Sequence, residues 1–425
     1  MKRLLSLTLV ALLASACSND DGPTMIQPGP DAQTRVQQAL LDAVSGDVLV
    51  FAEGTFEFDA QLSLTVDGVT LRGQGMDKTI WSFKNQPETG SSGGEGVKVK
   101  GVKGFTIEDL AIEDTRGDGI KVEGSQEVIF RRIRVEWTGG ANTKNGAYGI
   151  YPVLCDNVLV EDCIAKGASD AGIYLGQTNN AIMRGNTASQ NVAGLEVENS
   201  TNVDVYNNKG TDNTGCILVF TLPGLDRKKC ENVRVFDNDC TANNRDNFAE
   251  AGAIVRLVPR GVGVVIMAAK KVEVFGNTFK DNKSAHFTVI SYAITGEPNN
   301  DSGFDPYYDT IYVHDNTFMG GGDNADRNNL LGIGIAVALG EPIPEMLIDG
   351  WFDPAKVDGN GKLPAEINVC FENNGSAKFA NFDGQGLVAE PPAPNVSRDI
   401  ADHTCSHPKL PEVKLDFLAS STSGQ

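Results

Sequence analysis

Histidine is scarce: the 425 residues hold four, at positions 286, 314, 403 and 407, and none follows a glycine. No Cys-x-x-Cys-His occurs, so the chain has no covalent haem site of its own, and no metal-ligand spacing is present. Basic residues are in deficit, 36 Lys and Arg against 56 Asp and Glu, a formal net charge of −20. Such a surface repels nucleic acid and anionic membranes. Helical periodicity is nearly missing, and after Leu13 no apolar run is long enough to span a bilayer.

A repeat fills the chain instead. Asn186, Asn208, Asn238, Asn277 and Asn316 each close an alternating strand of one shape (AIMRGN, VDVYNN, VRVFDN, VEVFGN, IYVHDN). Steps of 22, 30, 39 and 39 residues mean a base turn of 22 with loops inserted into some turns. Strands stacked about 4.8 Å apart bring each asparagine over the next, so that their amides hydrogen-bond in a row. The expected fold class is all-β, a right-handed parallel β-helix (a solenoid) with an N-terminal capping helix. The cap is the amphipathic stretch TRVQQALLDAV, about residues 34–44. Coils are expected over about 47–340 and a C-terminal cap segment over about 341–425, residues 31–425 making a single domain.

At the start, Met1-Lys2-Arg3 and the apolar run Leu4 to Leu13 read as a signal peptide over residues 1–16. Ala14-Ser15-Ala16-Cys17 resembles a bacterial lipobox, which marks Cys17 for lipidation, and residues 17–30 read as a polar tether. Losing Lys2 and Arg3 takes the formal charge from −20 to −22. The expected location is the cell envelope: lipid-anchored at the outer membrane, on its periplasmic side or at the surface, with that anchor as the only membrane contact.

Aligned on the asparagines, each angular position becomes a column. Ile107, Phe130, Val160, Met183, Val205, Val235, Val274 and Val313 form an inward apolar stack. The next, outward position reads Arg72, Glu108, Arg131, Glu161, Arg184, then Tyr206, Phe236 and Phe275: a ladder of alternating charge followed by rings. Cys155 and Cys230 share a column three turns apart, roughly 14 Å, too far to bond. Cys163, Cys216 and Cys240 read as free buried thiols. Cys370 and Cys405, placed outside the regular coils of an exported chain, read as a disulfide.

A second strand of each coil opens with glycine, at 96, 119, 149, 172, 194 and 215, and its third residue points outward: Lys98, Lys121, Tyr151, Tyr174, Glu196 and Ile217. Insertions at 85–95, 137–148 and 241–262 precede this strand, and others at 221–229 and 293–309 follow it, walling a groove. Sites repeating from turn to turn suit a polymer with repeating units, and lysine with tyrosine suits sugar faces and carboxylates. The expected partner is an acidic polysaccharide. Elimination would need a substrate carboxylate neutralised by lysine or a bridging Ca²⁺, and a lysine or tyrosine as base. Lys121 and Tyr151, with Tyr174 beside them, are the catalytic candidates, and Asp170 with Glu196 is the alternative acid and base pair for hydrolysis. Lys98, Asp118 and Tyr148 are candidates for binding substrate. No cofactor other than Ca²⁺ is suggested, and Asp358-Gly-Asn360-Gly starts like a calcium loop but lacks the later ligands, so it reads as a turn.

The opening ALLDAVSGDVLVFAEGTF resembles the start of many secreted β-helix proteins, polysaccharide lyases among them, which speaks to fold. The Gly-His-Gly of polygalacturonase-like hydrolases and the Asp-Pro-His-Asp of alginate epimerases are both absent. GAYGIYPVLCDNVLVEDC, GASDAGIYLGQ, DNTGCILVFTLPGL and DPYYDTIYVHDNTF resemble a subgroup of exported bacterial β-helix lipoproteins. That resemblance implies a c-type cytochrome as a partner. The alternative to polysaccharide binding or lyase action is therefore a non-catalytic envelope scaffold that docks a protein.

Overall fold

Every asparagine of the repeat follows a residue with positive φ. Gly185, Asn207, Asp237, Gly276, Asp315 and Asn373 take φ of 67°, 53°, 53°, 65°, 54° and 52°. Gly, Asn and Asp enter this left-handed region at least cost, which accounts for the GN, NN and DN dipeptides. The kink turns the chain and aims the next asparagine into the stack. Asn186 donates to Asn208, Asn208 to Asn238, Asn238 to Asn277 and Asn277 to Asn316, at 2.9, 3.0, 2.9 and 3.0 Å. The row ends on Asn374, one rung further than expected. A second row, Asn191, Asn213, Asn243 and Asn282, runs beside it and ends on His286 Nδ1.

The computed structural model describes residues 25–87 and 94–421. Residues 1–16, read from sequence as a signal peptide, and Cys17 lie outside the described residues. Among the described residues the strands of the coils pair in parallel, in one sheet of 19 strands and one of 11, which wrap an apolar core as a parallel β-helix. The inward column is fully buried. The outward ladder is paired as expected: Arg72 with Glu108 at 2.6 Å, Arg131 with Glu161 at 2.5 Å and Arg184 with Glu161 at 2.6 Å. On its other side Arg184 donates to the Tyr206 hydroxyl, and the rings of Tyr206, Phe236, Phe275 and His314 stack in sequence.

The capping helix α1 spans Ala32–Asp42, two residues earlier than read from sequence, and buries Ala32, Val36 and Leu40 on the first turn. Coils also continue past residue 340: Met346–Ile348, Val369–Glu372 and Phe379–Asn381 stack on earlier strands. A 58-residue step from Asn316 to Asn374 hides this turn from a search for a 22-residue period. The insert contains the apolar helix α2, Leu330–Leu339. Beyond the coils the chain folds back along the outside, where Leu410 and Val413 donate backbone N–H groups to Glu273 and Asp204, and Val413 and Leu415 cover Leu159 and Ile182.

Cys370 lies within a coil strand, not outside the coils, and is bonded to Cys405. Cys216 and Cys240, expected as free thiols, are bonded to each other with Cα atoms 5.7 Å apart. Aligning one face of successive turns misses contacts across the coil interior. These two residues stand on different faces, and the missing side chain of Gly210 leaves the space into which Cys216 Sγ reaches. Cys155, Cys163 and Cys230 are free and buried. Thiol labelling of denatured, unreduced chain should therefore modify these three and leave 216, 240, 370 and 405 unlabelled until reductant is added, as peptide mass mapping would show.

Candidate active site

The 11-stranded sheet presents the glycine-initiated strands, and its outward face carries three adjacent columns. Asp118 and Tyr148 stand in the first, followed by Ala171 and Ala193. Lys98, Lys121, Tyr151, Tyr174 and Glu196 stand in the second, at consecutive rungs about 4.8 Å apart. Glu123, Val153, Gly176 and Glu198 stand in the third. Ile217 does not extend the second column. Gly215 pairs with Ala193, so Leu218 lies beside Glu196 and Ile217 points into the core.

Small residues create the space for large ones. Ala171 and Ala193 leave room over the sheet for Tyr148, whose ring lies 4.5 Å from Tyr151 and 4.4 Å from Tyr174, with Tyr151 and Tyr174 at 5.0 Å. A Cβ at Gly176 would sit inside the Tyr174 ring. Its absence lets that ring lie across the strand and the hydroxyl donate to Glu198 Oε1 at 2.5 Å. Lys121 Nζ stands 4.8 Å over the Tyr151 ring, and Lys98 pairs with Glu95 at 3.6 Å. Asp118 accepts from the Tyr148 backbone N–H at 3.2 Å. Leu222 and Phe248, from loops on either side, pack partly buried against the same apolar cluster as Tyr148 and Tyr151. Asn199 anchors the first of these loops by accepting from Leu222 N–H and donating to the Leu222 and Arg227 carbonyls.

Four carboxyl groups thus gather with three tyrosines. Glu196 is 1% exposed and neither of its oxygens has a hydrogen-bond partner among the described residues, nor does Asp170 Oδ1. Burial and the neighbouring Glu198 push Asp170 up to about 8. Burial pushes Glu198 up to about 7, opposed by the Tyr174 hydroxyl, and Asp118 up to about 6, opposed by Lys121. Glu196 is raised well above the ordinary carboxyl range by burial and then by Asp170 and Glu198. All three tyrosines are also raised, chiefly by burial. They are hydrogen-bond donors and ring surfaces, and poor bases.

All eight candidate groove residues named from sequence fall on this face. The residue that sequence reasoning missed is Glu198, although GLEVE carries its signal: a period of two puts Glu196 and Glu198 on one side of the strand. Among the described residues no group of three or more His, Cys, Asp or Glu side chains is placed to hold a metal ion. Asp358 is occupied in a turn, accepting from the Asn360 and Lys362 backbone N–H groups. Tyr174→Phe should move any pH-profile limb owed to Glu198 to higher pH, because the hydroxyl that favours the ionised carboxylate is gone. Leaving that buried acceptor unpaired should also cost about 1–3 kcal/mol in denaturant unfolding.

The profile described as "Right handed beta helix region" matches residues 67–222 and 141–326, more than half of the sequence. The chain belongs to the right-handed β-helix family. No curated protein matches it. Among solved structures, polygalacturonase from Erwinia carotovora is similar with a TM-score of 0.53 at 12% identity, covering 79% of this chain and 94% of that one. The A-module of a mannuronan C-5 epimerase from Azotobacter vinelandii is similar with a TM-score of 0.52 at 17% identity, covering 82% and 91%. At these identities the likeness is one of fold, and the chemistry of a β-helix protein is argued from its own groove.

Proposed function

We propose that this β-helix protein binds a glycan along the tyrosine-lined floor of the groove and cleaves it hydrolytically, with Asp170, Glu196 and Glu198 as the acid–base set. The observation that carries the reading is the gathering of these buried carboxyl groups with the three clustered tyrosines. Tyrosine rings offer flat apolar surfaces to sugar faces, with a hydroxyl for polar contact. A carboxyl group that titrates near neutrality can donate a proton to a leaving oxygen, and a neighbour that loses its proton can activate water. The similar solved structures include a polygalacturonase, which fits a glycan ligand on this fold.

The groove departs from the uronic-acid polymer and the elimination chemistry read from sequence. The floor offers little free positive charge for a substrate carboxylate: Lys98 is already paired with Glu95, and Lys121 stands over the Tyr151 ring. A tyrosine with a raised pKa does not serve readily as the base. A neutral glycan fits this floor better. Docking of a cytochrome gains less support, since Phe220 is 2% exposed and Leu222 and Phe248 are partly buried against the apolar cluster of this face. The lipid anchor at Cys17 and an envelope location remain part of the proposal, on the sequence alone.

Affinity electrophoresis through gels cast with neutral or acidic polysaccharides tests the binding half. The chain should be retarded by a neutral glycan, Tyr151→Ala should lose that retardation, and Lys121→Ala should keep most of it. Migration unchanged in every gel would favour the scaffold reading.

A further inference from the structure

The outward face of the same sheet changes character between one rung and the next. Glu196 and Glu198 are followed in register by Leu218 and Phe220, and these by Val265 and Met267. Over this apolar half lies a cavity of about 1050 Å³, floored by Val265, Met267 and Ile290 and roofed by α2. That is the upper end of the range for small-molecule sites, roughly 300–1,000 Å³. Helix α2, LLGIGIAVAL, has no polar side chain. A helix apolar on every face is ordinarily buried all round. Here Leu330 is 89% exposed and Val337 76% exposed at the mouth of the cavity, with Leu257 and Val388 also exposed there.

We infer that this cavity takes one long aliphatic chain, the acyl tail of an amphiphile, with its head group at the rim. This inference is independent of the glycan reading. Val, Ile, Leu, Ala and Met supply 20 of the 36 lining residues and Gly and Pro seven more, which suits a flexible methylene chain. Stacking surfaces for a flat ligand are limited to Phe220 and Tyr292. Of the polar side chains in the depth, Thr288 and Ser284, the latter already donates to the Arg260 carbonyl. A peptide entering the cavity would bury backbone N–H and C=O groups with almost nothing to pair them, whereas a hydrocarbon has none to pair. Arg256, Glu297 and Asn328 are exposed at the rim, where a polar head group would meet them.

The test titrates the full chain with a fluorescent 16-carbon fatty acid. Saturable one-to-one binding is expected, displaced by unlabelled palmitate and not by butyrate. Val265→Phe, which fills the floor, should weaken binding at least tenfold. Leu330→Glu, at a side chain too exposed to be needed for folding, should weaken it at least threefold and decides the matter alone if Val265→Phe does not fold. A second arm offers phosphatidylcholine vesicles: binding lost in parallel in the variants assigns a bilayer lipid as the source, and binding of the free acid only assigns a soluble one. Absence of saturable binding, or binding of acid or vesicles unchanged in folded variants, would overturn the inference.

Discussion

Asn238→Ala should lower the unfolding free energy by about 4 kcal/mol, since several buried bonds fail together and each orphaned group costs about 1–3 kcal/mol. Asn238 is 2% exposed. Its Nδ2 donates to Asn277 Oδ1 and to the Val205 carbonyl, both at 2.9 Å, and its Oδ1 accepts from the backbone and the side chain of Asn208 at 3.0 Å. Alanine removes the partner of the Asn208 N–H, the Val205 carbonyl and Asn277 Oδ1 together. Asn202→Gly is the control: Asn202 has a φ of 56°, which glycine adopts without strain, and its Oδ1 accepts from Asn232 at 3.2 Å in an exposed row, so its loss should fall within about 0.5 kcal/mol of wild type. Denaturant unfolding of both variants makes the comparison, and equal costs would mean the buried row is not what locks the coils together.

Glu196→Gln should stabilise the protein at pH 8 and flatten its pH dependence. A carboxyl whose native pKa lies above its unfolded value binds more protons folded than unfolded between the two. Stability is then fully present below the unfolded value, near pH 4, and is lost as pH rises through the folded one. Asp118 at about 6, Glu198 at about 7 and Asp170 at about 8 set the window from about pH 4 to about pH 8 in the wild type. Glu196, raised further still and with both oxygens unpartnered, adds to that loss. The glutamine variant should match wild type in Tm at pH 4 and exceed it by a few degrees at pH 8, while losing glycan cleavage. A wild-type Tm that rises from pH 5 to pH 8 would contradict the sign of this account. Groups that cost stability where they stand are the ordinary mark of a site built for chemistry.

Much of this was legible because a solenoid repeats its physics. Side chains alternate along a strand, so aligning the coils on their asparagines assigns the inward stack, the charge ladder and the groove face without tertiary information. Where one turn touches its neighbour across the core, the columns are silent, and Cys216 with Cys240 was misjudged for that reason. Where a loop changes the starting residue, the column slips by one, as at Ile217. The long insert before Asn374 concealed the last coils and the apolar helix that roofs the cavity. Sequence placed Lys121, Tyr151, Tyr174 and Glu196 on one face, but not the balance between them. Lysines suggested an anionic substrate, and only the positions of Asp118, Asp170 and Glu198 reveal how strongly carboxyl groups dominate the floor.

The most direct test of the central claim is mass spectrometry of products after the full chain is incubated with a panel of neutral and acidic polysaccharides. Hydrolysis predicts oligosaccharides from a neutral glycan, each heavier by one water than an elimination product, with none formed by Glu196→Gln or Asp170→Asn. Products lighter by one water, released from a uronic-acid polymer and still formed by both variants, would contradict it.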